Sequence, residues 1–170
     1  MRYRGSNQRP PEYHTWMCIC IGMRAQSYVE LGVGSSWEQH NAGMVVVTVD
    51  LNPTGFPHIP HIQGNSQEKG TLHKVLSTLG DRPDIVFIDA DHTYDGCKAD
   101  FELWYPVARL AVGFHDTRLP QGCDQFWKEI SRNYPSVEIV SRDIKSALEW
   151  QTNADDSGDV NAGGIGVIWK

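Results

Sequence analysis

Short apolar runs recur along the chain at near-regular intervals, separated by polar or helically periodic stretches. The strand-like runs are SYVEL (27 to 31), MVVVTVD (44 to 50), HIQG (61 to 64), DIVFIDA (84 to 90), AVGFHD (111 to 116), VEIVS (137 to 141) and GIGVIWK (164 to 170). Between them, residues 69 to 80, 96 to 110 and 123 to 134 place apolar side chains at helical spacing. The alternation predicts βαβ units. Runs such as MVVVTV and DIVFI are apolar throughout rather than at every second position, which is how strands read when helices cover both faces of a parallel sheet. The last two strands flank an Asn/Asp/Gly-rich segment and read as a hairpin. No internal repeat is visible.

Residues 1 to 14 are polar and proline-bearing and read as a loose arm, followed by a short helix or turn around Trp16 to Arg24. The division expected is therefore an N-terminal arm and short helix over residues 1–26 and one folded domain over 27–170. A length of 170 residues suits a single well-buried core. The 40% hydrophobic content argues against disorder, and no apolar run approaches the eighteen or so residues that cross a bilayer. No signal peptide is recognised, so a cytoplasmic setting is expected. Cys18, Cys20, Cys97 and Cys123 lack metal-type pairing and disulfide density, which predicts reduced thiols. The formal net charge of -6, without clustered Lys and Arg, excludes a broad nucleic-acid surface and favours a small-molecule partner.

The stretch YVELGVGSSW puts a glycine pair directly after a strand, and Asp50 closes the next strand. Glycines let backbone approach a ligand at the switch point of an open sheet, and an acid at the tip of the second strand can hold the two hydroxyls of a ribose. Trp37 breaks the G-x-G-x-x-G pattern, which disfavours a pyrophosphate-binding loop and favours a cofactor without phosphates. Taken alone, the glycine pair reads equally well as a tight strand-to-helix turn; Asp50 tilts the balance.

VELGVGSS, VTVDLNP, IQGNS, DIVFIDADHTYDG and GFHDT occur in an order and spacing that resembles class I S-adenosylmethionine-dependent methyltransferases over residues 27 to 170. The resemblance is strongest to the branch of macrolide-sugar O-methyltransferases, cephalosporin-hydroxylase-like proteins and small methyltransferase-domain proteins, similar in turn to catechol-type O-methyltransferases. It implies a Rossmann-like α/β fold: a seven-stranded, mostly parallel sheet with helices on both faces and an antiparallel last strand. It further implies that Glu30, Gly32 and Gly34 line the methionine portion of the cofactor, that Asp50 binds the ribose, that Leu51 lies under the adenine, and that Asn65 and Ser66 contact it. Ser36 stands where a third glycine is common, and the usual Pro-Gly-Gly turn before the fifth strand is missing from PVARLAVGFHD.

Asp89, Asp91, His92 and Asp116 fall at the carboxyl ends of the fourth and fifth strands, where an open α/β sheet builds its site. By the resemblance, Asp89, His115 and Asp116 hold a divalent ion, Mg or Mn, and His92 is the general base, so that Asp89 and His92 are the catalytic candidates. Oxygen ligands suit Mg, whereas an imidazole favours Mn, Fe or Zn, which makes His115 the least certain ligand. Each residue also has a plainer reading. Asp89 can cap the turn, Asp91 and Asp95 read first as turn acids, His92 as the start of a helix, Tyr94, Trp104 and Tyr105 as packing, and His58 and His61 as surface-loop residues. Arg118 fits an anionic acceptor or the bare surface.

The function expected is methyl transfer from S-adenosylmethionine to a hydroxyl of a small molecule or saccharide, with divalent-metal assistance. The short N-terminal segment leaves the acceptor pocket open or completed by another subunit, a homo-oligomer. Two alternatives stand: the same fold as a cofactor-binding protein with metal-free, different-acceptor or lost activity, and, less favoured, a metal-dependent hydrolase or oxygenase, which leaves VELGVGSS and Asp50 without a purpose.

Overall fold

The computed structural model describes residues 10–33, 42–53, 58–140 and 163–170. Seven strands form one sheet: β1 (Ser27–Leu31), β2 (Val45–Asp50), β3 (His61–Gln63), β4 (Ile85–Ile88), β5 (Ala111–His115), β6 (Ser136–Ile139) and β7 (Ile165–Trp169), in the order β3-β2-β1-β4-β5-β7-β6. Neighbours from β3 to β5 are parallel, and β7 runs antiparallel to both β5 and β6. The parallel sheet and the antiparallel last strand are those expected, and β6 and β7 pair as a hairpin does.

Register explains the two-sided burial. Val29 lies opposite Val47 and Val86, and Val86 opposite Val112, so alternate residues of four strands share a face. With Leu31, Val49, Ile88 and Phe114 they meet three helices, α2 (Lys69–Leu79), α3 (Tyr94–Trp104) and α4 (Cys123–Ile130), through Leu72, Val75, Phe101, Trp104, Phe126 and Trp127. The intervening residues Tyr28, Val46, Ile85, Phe87 and Ala111 turn the other way and meet α1 (Pro10–Gly22). Both faces are dry, which is why these strands carry no polar alternation.

Helix α1 corrects one expectation. It begins at Pro10, within the stretch read as a loose arm, and is a working part of the core. Trp16 is fully buried, stacks on Phe87 at 5.6 Å between ring centroids and donates its indole N–H to the Tyr28 hydroxyl at 3.2 Å. Its space exists because β5 has glycine at 113, where a Cβ would lie 3.0 Å from the Trp16 ring and 2.7 Å from Phe87. Pro-Pro-Glu is a helix-start signal, with proline tolerated where N–H groups lack helical partners and an acid favoured in the first turn.

The other helices stop where their chemistry tells them to. Gly80 takes a left-handed conformation, φ 76°, and returns its N–H to the Leu76 carbonyl, closing α2. Thr93 caps α3 by accepting the Gly96 N–H, so this helix starts two residues earlier than its periodicity indicates, and Pro106 ends it near Trp104 rather than at 110.

Candidate active site

At the carboxyl end of β1 the chain passes through Gly32 at φ 80°, and a Cβ there would stand 2.0 Å from the Asp89 carbonyl oxygen. The glycine is required by the close approach of the loops after β1 and β4. Asp50, at the tip of β2, accepts the Val33 N–H on Oδ2 at 3.2 Å and the Asn52 N–H on Oδ1 at 2.8 Å, and so ties the loops after β1 and β2 together. Each oxygen keeps a lone pair for a further donor. Glu30 is fully buried in β1. Leu51 is 68% exposed, an apolar side chain left facing solvent at the rim. After β3, Asn65 accepts the Gln67 N–H on its side-chain oxygen at 3.0 Å, a turn-forming use of Asn, and the Ser66 carbonyl accepts the Trp104 indole N–H at 2.8 Å. Gly34, with Ser36 and Trp37, lies outside the described residues.

The ends of β4 and β5 bring Asp89, His92, His115 and Asp116 into one cluster, with one donor atom from each lying within 4.8 Å of the rest. Among the described residues this is the one group of three or more metal-competent side chains. Asp89 Oδ1 faces both rings, His115 Nδ1 at 2.8 Å and His92 Nε2 at 3.1 Å. The opposite nitrogen of His92 lies 3.2 Å from Asp116 Oδ2, and His115 Nδ1 lies 3.4 Å from Asp116 Oδ1. His92 is thus bracketed by two carboxylates. Asp116 adopts φ 55°, a strained conformation that Asp tolerates better than most residues. The next two residues anchor it: the Arg118 N–H bonds the Gly163 carbonyl, and Glu138 of β6 accepts from the Thr117 hydroxyl and the Arg118 guanidinium.

The electrostatics follow from the geometry. Burial alone would raise the Asp89 carboxyl, but His115 and then His92 outweigh it and hold the group at about 2. Burial works against a charged His115, yet Asp89, Asp116 and Glu12 push it up to about 9. The Asp89 hydrogen bond likewise raises His92. A divalent cation carries the charge that the two carboxylates need balanced, the same charge as one added proton on each ring. The donor set therefore fits such an ion.

The surrounding candidates keep their plainer roles, except that His61 is no surface-loop residue but the half-buried first residue of β3. Asp91 accepts the Thr93 N–H at 3.0 Å as a turn acid, Asp95 is exposed in the first turn of α3, and the Tyr94 hydroxyl bonds Glu129 of α4 at 2.6 Å. Trp104 is fully buried, and Tyr105 packs between Phe101 and Tyr134. His61 is engaged by Thr48 and the Asn52 carbonyl, and His58 stands exposed. Arg118 spends its guanidinium on Glu138. Two residues near the site escaped the sequence reading. Glu12, 2% exposed, reaches the Gly164 N–H and influences His115 from α1; its signal was the Pro-Pro-Glu helix start. Asp100 is fully buried in α3, and its signal was its place in the stripe Cys97, Asp100, Phe101, Trp104.

A family model described as "Methyltransferase domain" matches residues 15–117, a span that contains the entire cluster. The chain belongs to this methyltransferase-domain family. It is 35% identical over 86 residues to the uncharacterized protein y4gI of Sinorhizobium fredii, a match covering 47% of this chain and 10% of that protein. Among solved structures, the methyltransferase-domain fold is shared with the MycE methyltransferase of the mycinamycin pathway, solved with Mg, SAH and mycinamycin VI. Its TM-score is 0.59 at 16% identity, covering 94% of this chain and 48% of that one. It is shared also with an O-methyltransferase from Bacillus cereus solved with SAH, at TM-score 0.56 and 15% identity, covering 95% and 81%. The chain thus spans about half of MycE and about a tenth of y4gI.

Proposed function

We propose that this methyltransferase domain transfers a methyl group from S-adenosylmethionine to a hydroxyl of a small molecule or saccharide, with a divalent ion held at the Asp/His cluster. The observation that carries the reading is the convergence of Asp89, His92, His115 and Asp116 at the rim of the sheet, beside the loops that Asp50 and Gly32 bring together, inside the segment matched by the family.

The cofactor supplies an electrophilic methyl group on a sulfonium sulfur, and the ion supplies positive charge for an acceptor oxygen. The chain's own residues do the rest. The free lone pairs of Asp50 take the ribose hydroxyls, and the exposed Leu51 side chain gives the adenine an apolar platform. Asn65 and Ser66 would contact the adenine, and Glu30 and Gly32 would line the methionine portion, a role the resemblance also gives Gly34. Asp89, His115 and Asp116 would hold the ion. His92 has the most open side chain of the four, 26% exposed, and accepts the acceptor hydroxyl's proton once the proton it shares with Asp89 has left. Catalysis on this reading is alignment and charge stabilisation, without a covalent enzyme intermediate.

Calorimetric titration with S-adenosylhomocysteine tests the cofactor half. The expected result is micromolar binding by the wild-type chain and a loss of about tenfold or more in Asp50→Ala, since ribose hydrogen bonds to a charged group contribute roughly 1.5–3 kcal/mol. Absence of binding by a folded wild-type chain overturns the reading.

A further inference from the structure

A nitrogen of His115 stands at ligand spacing from both carboxylates of the cluster. Its Nδ1 lies 2.8 Å from Asp89 Oδ1 and 3.4 Å from Asp116 Oδ1. First-row metal ions bind nitrogen and oxygen at about 2.0–2.2 Å, so neighbouring ligands stand roughly 3.0 Å apart at right angles and roughly 3.5 Å apart at tetrahedral angles. The spacing of this nitrogen from both oxygens is already of that size. Nor does the ring have another place to go. His115 is the last residue of β5, paired with Ile165 of β7; its side chain is 7% exposed, and it packs against the Phe87 ring at 6.3 Å between centroids.

We infer that His115 sets the identity of the ion: the site takes a late first-row cation of the Mn, Fe or Zn class and discriminates against Mg. The inference rests on the metal half of the function proposed above. Mg demands near-octahedral oxygen ligation and keeps several waters, whereas an imidazole ligand replaces one oxygen position with nitrogen, which the later ions bind more strongly. The MycE structure holds Mg, so the inferred preference separates this chain from a protein of the same fold. His115 acts here as a specificity-determining ligand, and His92 keeps its proton-handling role.

The test is metal binding, independent of turnover. Chelator-stripped protein is titrated separately with MgCl2, MnCl2 and ZnCl2, in parallel with His115→Asp, which restores an oxygen donor, and His115→Asn, which keeps the side chain uncharged. Circular dichroism establishes which variants fold. The expected wild-type result is one ion per chain, with Mn and Zn at least about 100-fold tighter than Mg. In His115→Asp the ratio of Zn to Mg affinity shrinks at least about tenfold, because the nitrogen preference has gone. Mg binding as tight as Mn in the wild type, no ion bound at all, or a Zn-to-Mg ratio unchanged in either folded variant overturns the inference. If neither variant folds, the wild-type Mn-to-Mg comparison decides by itself. Titration of the stripped wild type with S-adenosylhomocysteine separates the two failures: cofactor binding without ion selectivity sinks the inference alone, and ion selectivity without cofactor binding sinks the methyltransferase reading alone.

Discussion

Strand β4 carries a buried carboxylate cluster at each end, and the two are built to opposite specifications. At the amino end Asp84 accepts the Gln26 and Ser27 N–H groups on Oδ2, at 2.7 and 3.2 Å, and the Arg109 guanidinium on Oδ1 at 2.9 Å. At the carboxyl end Asp89 meets two imidazoles. Backbone amides and guanidinium cannot give up their protons near neutral pH, so the Asp84 cluster is a fixed joint between β1, β4 and the approach to β5. Imidazoles can, so the Asp89 cluster can exchange protons for a cation or pass one to a substrate. A carboxylate's position at a strand end thus says little about purpose; the exchangeability of its partners says more.

The comparison breaks most sharply on Asp89. Asp89→Ala is expected to lower methyl transfer by about 10²–10³-fold, the usual effect of removing one charged group from a catalytic constellation, while leaving a folded chain because His92 and His115 shed their protons. Loss of the fold with no separable loss of turnover would make the two ends of β4 alike. Asp84→Ala should do the reverse. It leaves Arg109 with Asp81 alone and takes the acceptor from two part-buried N–H groups, so the urea midpoint falls by the equivalent of about 1–2 kcal/mol. Affinity for S-adenosylhomocysteine, measured where the variant is still folded, stays within about threefold of wild type. A tenfold loss of affinity would show that the amino end also shapes the site.

That difference between the ends was partly legible in the sequence. A strand of the type DIVFIDA must run through a core and emerge at a rim, and the rim acids of an open α/β sheet gather at carboxyl ends, so Asp89 and Asp116 were readable as neighbours despite 26 intervening residues. The boundaries of the central strands held to within one or two residues because burial on both faces leaves an uninterrupted apolar signature. What escaped was whatever depends on contacts between distant segments. The joining of Asp84 to Arg109 needs the turns before β4 and β5 to meet, and no spacing rule gives that. The bracketing of His92 between Asp89 and Asp116 likewise depends on the left-handed turn at Asp116, which the motif does not announce. The start of helix α1 was missed for a different reason. Its apolar residues lie on no single clear stripe, so periodicity was silent and the proline-acid start signal was the only clue.

Asp100 sharpens the comparison because its partner is neither an amide or guanidinium nor an imidazole but the hydroxyl of Ser66. It sits fully buried in α3 with neither oxygen in a well-formed hydrogen bond; burial, with Asp91 adding to it, pushes its carboxyl up to about 7 against the smaller opposing effect of the Ser66 hydroxyl. An acid whose folded pKa stands above the unfolded value of 3.8 binds its proton more tightly when folded. The cost of ionising it therefore appears as pH rises past about 4, grows until about 7 and then stays constant. Asp100→Asn removes that cost but buries amide N–H groups with no evident acceptor, which returns part of the gain. The net expectation is a stabilisation of about 1–2 kcal/mol at pH 8, equivalent to roughly 2–8 °C in Tm for a chain of this size, and little or none at pH 4. Thermal unfolding of both proteins across that range, with chelator present, checks it. A difference that does not change with pH would mean that Asp100 is held ionised by its surroundings and belongs with Asp84 as a structural joint. A difference that opens between pH 4 and 7 would make it a third kind of buried acid, one kept neutral because only a hydroxyl is there to share its charge.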